Sequence, residues 1–260
     1  MPQTPTPRPH SPFLIPATLL AALLFYAGCK PALHRQSVSP QNISIGYDAP
    51  VDTAVDNFIA PYRNSMAAEM NRVLGSNAQV LEKNVEESTL GNFAADMLLE
   101  EARRITGNNT PDMAAVTNGG LRVNLPAGPI LVSNIFEYCP FENELVILTL
   151  KGGDVYRMFK YMGAGKNLTL ANTTAIFING KLQLATIGGQ GLDTMRTYTL
   201  ATSDYLAEGG DRMSMLPNAI ARKNTGMKIR ELTMEHISRL TAAGKQITVK
   251  KDGRMQFHTE

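Results

Sequence analysis

The sequence predicts an α+β fold: one domain of mixed sheet and helices, preceded by a long helix. Some segments have apolar residues at helical spacing, such as 228–243, whereas 144–151 is a short apolar run typical of a buried strand. These segments follow one another without the regular strand–helix–strand alternation of a doubly wound sheet. After a targeting segment is removed, about 230 residues remain, enough to bury well over half of the chain surface.

The N-terminal segment is expected to direct export. The stretch SPFLIPATLLAALLFYAGCK (11–30) has an apolar run of roughly fifteen residues, shorter than the about 20 residues of a membrane-spanning helix. It ends in Ala27-Gly28-Cys29, which resembles the lipobox of bacterial lipoproteins. We therefore predict a lipoprotein signal peptide over 1–29, lipidation of Cys29, and an exported protein anchored by lipid to the bacterial envelope, facing the periplasm or on the cell surface. The alternative is an ordinary signal peptide with an incidental cysteine.

A tether and a helix are expected next. Residues 30–50 are polar and contain proline, as in a tether, and 51–80 is interpreted as a linker or docking helix. Within it, 52–73 has the apolar spacing of one amphipathic helix, with Pro61 as a possible kink. We expect its apolar stripe to pack in the core. The stripe consists of Val55, Ile59, Tyr62, Met66 and Met70.

The remaining segments, 81–258, are expected to form the domain. Helix 86–107 has Ser88 or Thr89 as its cap and Gly107 as its stop. Asn179-Gly180 predicts a hairpin turn between the strands of 168–184. The other predicted elements are strand 113–117, short helix 133–141, strand 144–151, helix 152–163, strand 197–206, helix 228–243 and a final strand with a turn over 245–255.

Several kinds of chemistry have no support in the sequence. His34, His236 and His258 are isolated, and no cysteine pair has metal-ligand spacing, so we expect no metal site in this chain. If Cys29 is acylated, Cys139 is alone and no intrachain disulfide forms. There is no G-x-S-x-G nucleophile motif and no P-loop lysine, so we name no catalytic residue. A net charge of +2 gives no reason to expect nucleic acid as a partner.

Two glycine-rich stretches instead suggest ligand binding. In the first, Asn118 offers an amide, Gly120 allows close backbone approach, and Arg122 offers a planar cation for a carboxylate or phosphate. Alone, this turn is more often a plain tight turn with a surface arginine. In the second, Tyr205 precedes Asp211, with two glycines between them.

A third stretch adds an aromatic and an amide. Phe141 lies at the end of the predicted short helix and Asn143 just beyond it, and Phe141 and Tyr205 would be able to sandwich a base. Stacking of this kind contributes roughly 1–3 kcal/mol per base. Asp211 would then accept hydrogen bonds from ribose hydroxyls.

Four segments, in order, resemble the C-terminal, nucleotide-binding domain of the 5'-nucleotidase family. They are ESTLGNFAADML, AVTNGGLRVNLPAGPI, FEYCPFENELVILTLKGGDV and YTLATSDYLAEGGDRM, and the resemblance covers residues 85 to 250. It implies that Arg122 contacts nucleoside or phosphate, that Asn118 opens the glycine-rich turn, and that Asn143 reads the base edge. It also implies Phe141 and Tyr205 as stacking rings, Asp211 as the ribose acceptor and Gly165 as a glycine near the base.

The chain departs from the family pattern in several places. The turn is one glycine short before Leu121, and Arg212 replaces the glycine that usually follows the acid. Upstream arginines that reach phosphate are absent, with only Lys83 nearby. The metallophosphatase domain, which carries the two-metal site, has no counterpart in these residues.

Three functions therefore stay open. The first is the recognition half of a split phosphohydrolase for nucleoside 5'-phosphates. A separately encoded metallophosphatase would carry the divalent metals, and this chain would bind no cofactor. The second is a nucleoside-binding surface lipoprotein without hydrolysis. The third is a degenerate scaffold whose site has decayed.

Overall fold

The computed structural model describes residues 39–43, 46, 49–108, 110–165 and 168–259. Cys29 and the predicted signal peptide lie outside the described residues, as does most of the predicted tether. The chain divides into two compact units, 1–52 and 53–260, and every helix and strand below belongs to the second. Within the described ranges, no helix has the length and apolar character needed to cross a bilayer.

The second unit contains six helices and eleven strands among its described residues. The helices are α1 (Thr53–Met70), α2 (Thr89–Thr106), α3 (Val132–Tyr138), α4 (Gly152–Gly165), α5 (Asp204–Ala207) and α6 (Ile229–Ala242). The strands are β1 (Val73–Asn77), β2 (Met113–Thr117), β3 (Gly128–Leu131), β4 (Glu144–Lys151), β5 (Leu168–Ala171), β6 (Thr173–Ile178), β7 (Lys181–Ile187), β8 (Gln190–Gly191), β9 (Thr197–Ser203), β10 (Ala221–Lys228) and β11 (Met255–His258).

A five-stranded sheet in the order β10-β4-β9-β2-β5 forms the centre of the domain. β2 and β9 are parallel, and the other neighbours are antiparallel. β4 is buried on both faces. Because side chains alternate along a strand, neighbouring residues of β4 pack against different layers. Val146 and Leu148 pack with α4, whereas Leu145 and Ile147 pack with α2 and α6. The predicted α+β class is thus confirmed.

A four-stranded sheet in the order β11-β6-β7-β8 lies beside α4. Its β6–β7 hairpin turns at Asn179 (φ 48°) and Gly180 (φ 73°), as the Asn-Gly pair predicts. The predicted final strand over 245–255 is wrong in position, because the strand is Met255–His258 and pairs in parallel with β6. Of the predicted range, Ile247 forms an isolated bridge to Asn77.

The boundaries of α2 follow the sequence signals. The Ser88 side chain accepts a hydrogen bond from the Gly91 amide at 2.9 Å and so caps the first turn. Gly107, with φ 73°, ends the helix in the left-handed conformation that glycine adopts without steric cost. Both ends confirm the prediction.

Helix α1 corrects the expectation that its apolar stripe packs in the core, although Met70 at its end is partly buried against a core cluster. The helix covers most of 52–73 with Pro61 inside it, but Val73–Asn77, within the 51–80 interpreted as a linker or docking helix, forms strand β1, and none of the helix residues is buried. An amphipathic pattern predicts a face to be covered without identifying what covers it. The side chains left exposed include Val55, Phe58, Ile59, Tyr62 and Met66.

Candidate functional site

Strand order explains why three distant stretches meet. β9 lies between β2 and β4, so the carboxyl ends of the parallel strands β2 and β9 reach the same sheet edge as the amino end of antiparallel β4. The glycine-rich turn follows β2, α5 follows β9, and Asn143 precedes β4. In α/β sheets, ligands bind just outside the carboxyl ends of the strands. The carboxyl ends of β2 and β9 lie together at this end of the sheet, which is called its edge below.

A cavity of about 370 Å³ opens at this edge. Of the predicted binding residues, the structure brings Gly120, Arg122, Phe141, Asn143, Tyr205 and Asp211 to its wall. The rest of the lining is mainly apolar and includes Val116, Leu121, Cys139, Leu206 and Ile229. A concave apolar wall with a few polar groups is the usual form of a small-molecule site.

The two rings proposed to stack lie on the wall of one cavity and are neither sealed in the interior nor on separate surfaces. Phe141 is 44% exposed and Tyr205 is 48% exposed. The Arg122 guanidinium carbon lies 6.0 Å from the centre of the Phe141 ring. The Tyr205 ring packs against the backbone at Gly210, where a Cβ would lie 2.5 Å from two ring carbons. Stacking of a base between the rings stays a prediction.

The carboxylate of Asp211 is tied to one of these rings. The Tyr205 hydroxyl donates to Asp211 Oδ1 at 3.0 Å and accepts from the Asp211 amide at 3.2 Å. The other oxygen, Oδ2, lies beside the glycine-rich turn, 3.5 Å from the place that a Cβ on Gly119 would take. The acid therefore stands at the cavity wall with Oδ2 next to that turn.

The glycine-rich turn is held by its own backbone. Gly120 donates to the Thr117 carbonyl at 3.1 Å, and Leu121 donates to that of Asn118 at 3.3 Å. The Asn118 side chain is buried behind the turn, where Nδ2 donates to the Asn84 carbonyl at 2.9 Å. Asn118 is outside the cavity lining, so in this structure it orders the loop that precedes the site.

Two cations stand at the turn. Lys83 donates from Nζ to the Leu121 carbonyl at 2.7 Å and so stiffens the turn from outside the cavity lining. Arg122 contacts the Gly119 carbonyl at 3.3 Å and lines the cavity. No carboxylate within the described ranges pairs with Arg122, so its guanidinium is available to an anion.

The loop that carries Phe141 and Asn143 is fastened by residues that the sequence did not single out. Glu142 forms ion pairs with Lys228 and Arg230 at the start of α6. Arg230 also donates to the Pro140 carbonyl at 3.1 Å. These contacts hold the stretch between α3 and β4, which no helix or strand orders, and no local motif marks them because the partners are nearly ninety residues apart in the chain.

Cys139 forms part of the apolar wall. It is 8% exposed, and burial raises the pKa of its thiol, an effect that the nearby Arg230 charge opposes. A protonated, buried thiol behaves as a small apolar side chain.

Gly165 is not brought to the cavity. It is the last residue of α4, it is exposed, and no atom lies within 4 Å of the position of an added Cβ. Its proposed place near the base depended on loose spacing.

The described residues do not fit a two-metal site. One group of three candidate ligands, Glu100, Glu101 and His236, has its ligand atoms within 4.8 Å of one another. Glu101 is fully buried and already bound by Arg104, Arg239 and His236 Nδ1, the last at 2.9 Å. Two guanidinium groups on one carboxylate oppose a cation there, and the group is outside the cavity lining.

The fold places aromatic, amide, acidic and cationic groups on one wall of a concave cavity, which is the usual form of a small-molecule site. The model of the 5'-nucleotidase C-terminal domain matches residues 66–218, and the chain belongs to that family.

Curated relatives and solved structures agree with this assignment. The chain is 26% identical to a 5'-nucleotidase of Vibrio vulnificus over 209 residues, covering 76% of this chain and 36% of the relative. It is 25% identical to protein UshA of Escherichia coli, covering 70% and 34%. A 5'-nucleotidase precursor from Thermus thermophilus superposes with a TM-score of 0.69 at 25% identity, covering 81% and 44%.

A more distant structure, the NAD nucleotidase of Haemophilus influenzae, shares the fold with a TM-score of 0.61 at 16% identity, covering 80% of this chain and 42% of that one. The chain spans about a third of the length of the curated relatives named above.

Proposed function

We propose that this chain is the nucleotide-recognition half of a split 5'-nucleotidase-like phosphohydrolase that acts in nucleotide catabolism. The observation that carries the proposal is the edge cavity, where two half-exposed rings, a guanidinium, an amide and a carboxylate line one wall. The names of its relatives as 5'-nucleotidases support a nucleotide as the ligand.

Each wall residue has a role in the proposed complex. Phe141 and Tyr205 stack on the two faces of the base, and the Asn143 amide, a donor and an acceptor together, reads its edge. Asp211 accepts hydrogen bonds from the ribose hydroxyls. Arg122, which has no carboxylate partner among the described residues, binds the phosphate end, where Gly120 lets the backbone come close.

A separate metallophosphatase chain completes the enzyme in this proposal. Phosphate-ester hydrolysis of this kind uses two metal ions to activate water and to neutralise the leaving oxygen, and the partner would supply them. The exposed apolar side chains of α1 offer that partner a docking face, because large exposed apolar patches are a mark of interaction sites.

Export and anchoring are part of the same proposal. The Thermus thermophilus relative is described as a precursor, which agrees with an exported protein. Lipidation of Cys29 would hold the chain at the bacterial envelope, periplasm-facing or at the cell surface.

Nucleoside binding is the first test. Calorimetric titration with the four common nucleosides is expected to find at least one that binds, and Phe141→Ala to weaken it by roughly 5- to 150-fold, the worth of one stacking face. Phe58→Ala is the matched control, since Phe58 is 71% exposed on α1, away from the cavity lining. Binding of no nucleoside, or equal losses in both variants, would reject the recognition site.

Mixing is the second test. The purified chain with Mn²⁺ or Zn²⁺ is expected to release no phosphate from nucleoside 5'-phosphates, and to stimulate release when the partner metallophosphatase is added. Phe58→Asp on α1 is expected to reduce the stimulation while leaving nucleoside binding unchanged. Phosphate release by this chain alone would reject the split enzyme, and nucleoside binding without any stimulation would favour the binding lipoprotein instead.

A further inference from the structure

The backbone that carries Asp211 is left-handed at two successive residues that are not glycine. Asp211 has φ 50° and Arg212 has φ 65°. Residues with a Cβ occupy this region uncommonly, because it is sterically unfavourable, and they keep it only where the surrounding structure holds them there. Something in the fold must therefore hold the turn over 209–213.

Two tyrosine hydroxyls form hydrogen bonds to this turn. Tyr205 bonds to both the carboxylate and the amide of Asp211. Tyr161, on α4, donates to the Asp211 carbonyl at 2.8 Å. The Tyr161 ring is half-buried against the core cluster of α4, which makes its hydroxyl a firm anchor.

We propose that Tyr161 is a positioning residue for the sugar subsite: its hydroxyl locks the left-handed turn and so points Asp211 at the ribose. Tyr161 is outside the cavity lining and touches no ligand itself. Its bond to the Asp211 carbonyl leaves the carboxylate oxygens to Tyr205 and the ligand. This inference rests on the proposed function for the identity of the ligand, but the locked turn itself is independent of any ligand.

The lock sets selectivity for the sugar rather than overall affinity. If the Tyr161 bond is removed, the turn relaxes from the strained region and the carboxylate moves away from its place beside Gly119. Hydrogen bonds to the ribose depend on direction and weaken, whereas stacking on the base tolerates small shifts. The ratio of nucleoside affinity to 2',3'-dideoxynucleoside affinity is thus the quantity that Tyr161 controls.

Tyr161→Phe removes one oxygen and keeps the ring. Using the tightest-binding nucleoside and its 2',3'-dideoxy analogue, we expect nucleoside affinity to fall by roughly 2- to 12-fold, the range of one neutral hydrogen bond. The dideoxy analogue is expected to bind as tightly as to the wild type. Tyr198→Phe is the control, because it also removes a hydroxyl that makes a structural hydrogen bond, which Tyr198 accepts from the Asp193 amide at 2.8 Å, and Tyr198 does not line the cavity. Equal losses for both ligands, or no loss for either, overturn the proposal.

A rescue variant separates positioning from general damage. Arg212→Gly relieves the left-handed strain directly, because glycine occupies positive φ without steric cost. The double variant Tyr161→Phe/Arg212→Gly is expected to regain most of the ribose selectivity. Failure of the rescue would mean that Tyr161 does not act through this turn.

Hydrogen exchange decides the case even if no nucleoside binds. In the wild type, the Asp211 amide is bonded to Tyr205 and the Met213 amide to the Gly210 carbonyl at 3.0 Å. Both amides are expected to exchange at least several-fold faster in Tyr161→Phe than in the wild type. In Tyr198→Phe their exchange rates are expected to stay unchanged. Without nucleoside binding the proposed function fails, and unchanged exchange would refute the lock separately.

Discussion

Gly210→Ala tests the role of the Tyr205 ring without changing the tyrosine itself. A Cβ at Gly210 would lie 2.5 Å from two carbons of the Tyr205 ring and 2.6 Å from the Tyr205 carbonyl oxygen. Ordinary contacts to a Cβ begin near 3.4 Å, so the overlap is close to 1 Å. The ring can rotate away, but the carbonyl belongs to the backbone of α5, and both must shift.

The expected size of the effect has two parts. Overpacking of this kind costs about 1–3 kcal/mol of unfolding free energy, and each kcal/mol lowers Tm by roughly 2–4 °C in a domain of this size. Displacing one stacking face costs a nucleoside roughly 1–3 kcal/mol, or about 5- to 150-fold in affinity. Asp211 moves with the ring, since the Tyr205 hydroxyl binds its carboxylate.

Differential scanning fluorimetry and calorimetric titration measure the two parts. Gly165→Ala is the matched control, because nothing lies within 4 Å of its added Cβ and alanine favours the end of α4. It should bind nucleoside like the wild type and melt no lower. Unchanged nucleoside binding by Gly210→Ala would refute the placement of the Tyr205 ring at the ligand. An equal loss of binding in Gly165→Ala would refute the placement of Gly165 away from the cavity.

Three further measurements follow from charge and burial. The hydrogen bond from Arg254 lowers the pKa of Asp252 from its ordinary 3.8 to about 2. The ion pair therefore stabilises the fold above pH 4, and its contribution is lost between about pH 4 and pH 2. Acid unfolding of Asp252→Asn should show less of this loss. Burial lowers the pKa of His236, and the charge of Glu100 opposes this effect. As the pH drops below 6.5, the unfolded chain binds the proton before the folded chain does, so stability falls. His236→Gln should flatten the dependence of Tm on pH between 8 and 5. The raised thiol pKa predicts slow alkylation of Cys139 at pH 7.5, slowed further by bound nucleoside, and peptide mass spectrometry that finds Cys139 alkylated as fast as a free thiol would contradict its place in the wall.

Local signals predicted the elements whose ends are set by local chemistry. Ser88 and Gly107 bound α2 because a cap and a left-handed stop act within one turn of the helix. Asn179-Gly180 closes a hairpin for a similarly local reason. The five-residue strand over 113–117 was also predicted correctly, since a short apolar run that ends at a glycine-rich turn is a local strand signal.

Elements stabilised by distant partners were missed or misplaced. β10 has the sequence ARKNTGMK, which is charged and mostly exposed, because it is an edge strand that only its pairing with β4 reveals. The predicted strand over 245–255 gave way to β11, whose place depends on parallel pairing with β6. Helix α1 was predicted, but its exposure was not, because periodicity does not show what lies opposite a face.

The same division applies to the site. The sequence pointed to Arg122, Phe141 and Asp211 because ordered motifs carry them, and the strand order brings the three residues to one cavity. Tyr161 and Arg230 were not found, because each acts on a stretch at least fifty residues away in the chain. No spacing rule connects such pairs before the fold does.

The parallel strand β11 has a consequence for how the molecule is made. β6 and β7 leave the ribosome well before β11, which alone pairs with the other edge of β6. In the folded sheet the Phe177 ring on β6 stacks on the Phe257 ring of β11, with ring centres 4.9 Å apart. On the nascent chain Phe177 therefore lacks this contact until β11 has been synthesised. An open strand edge beside an uncovered aromatic is an aggregation hazard, so β6 is exposed to aggregation until this last described strand has been synthesised.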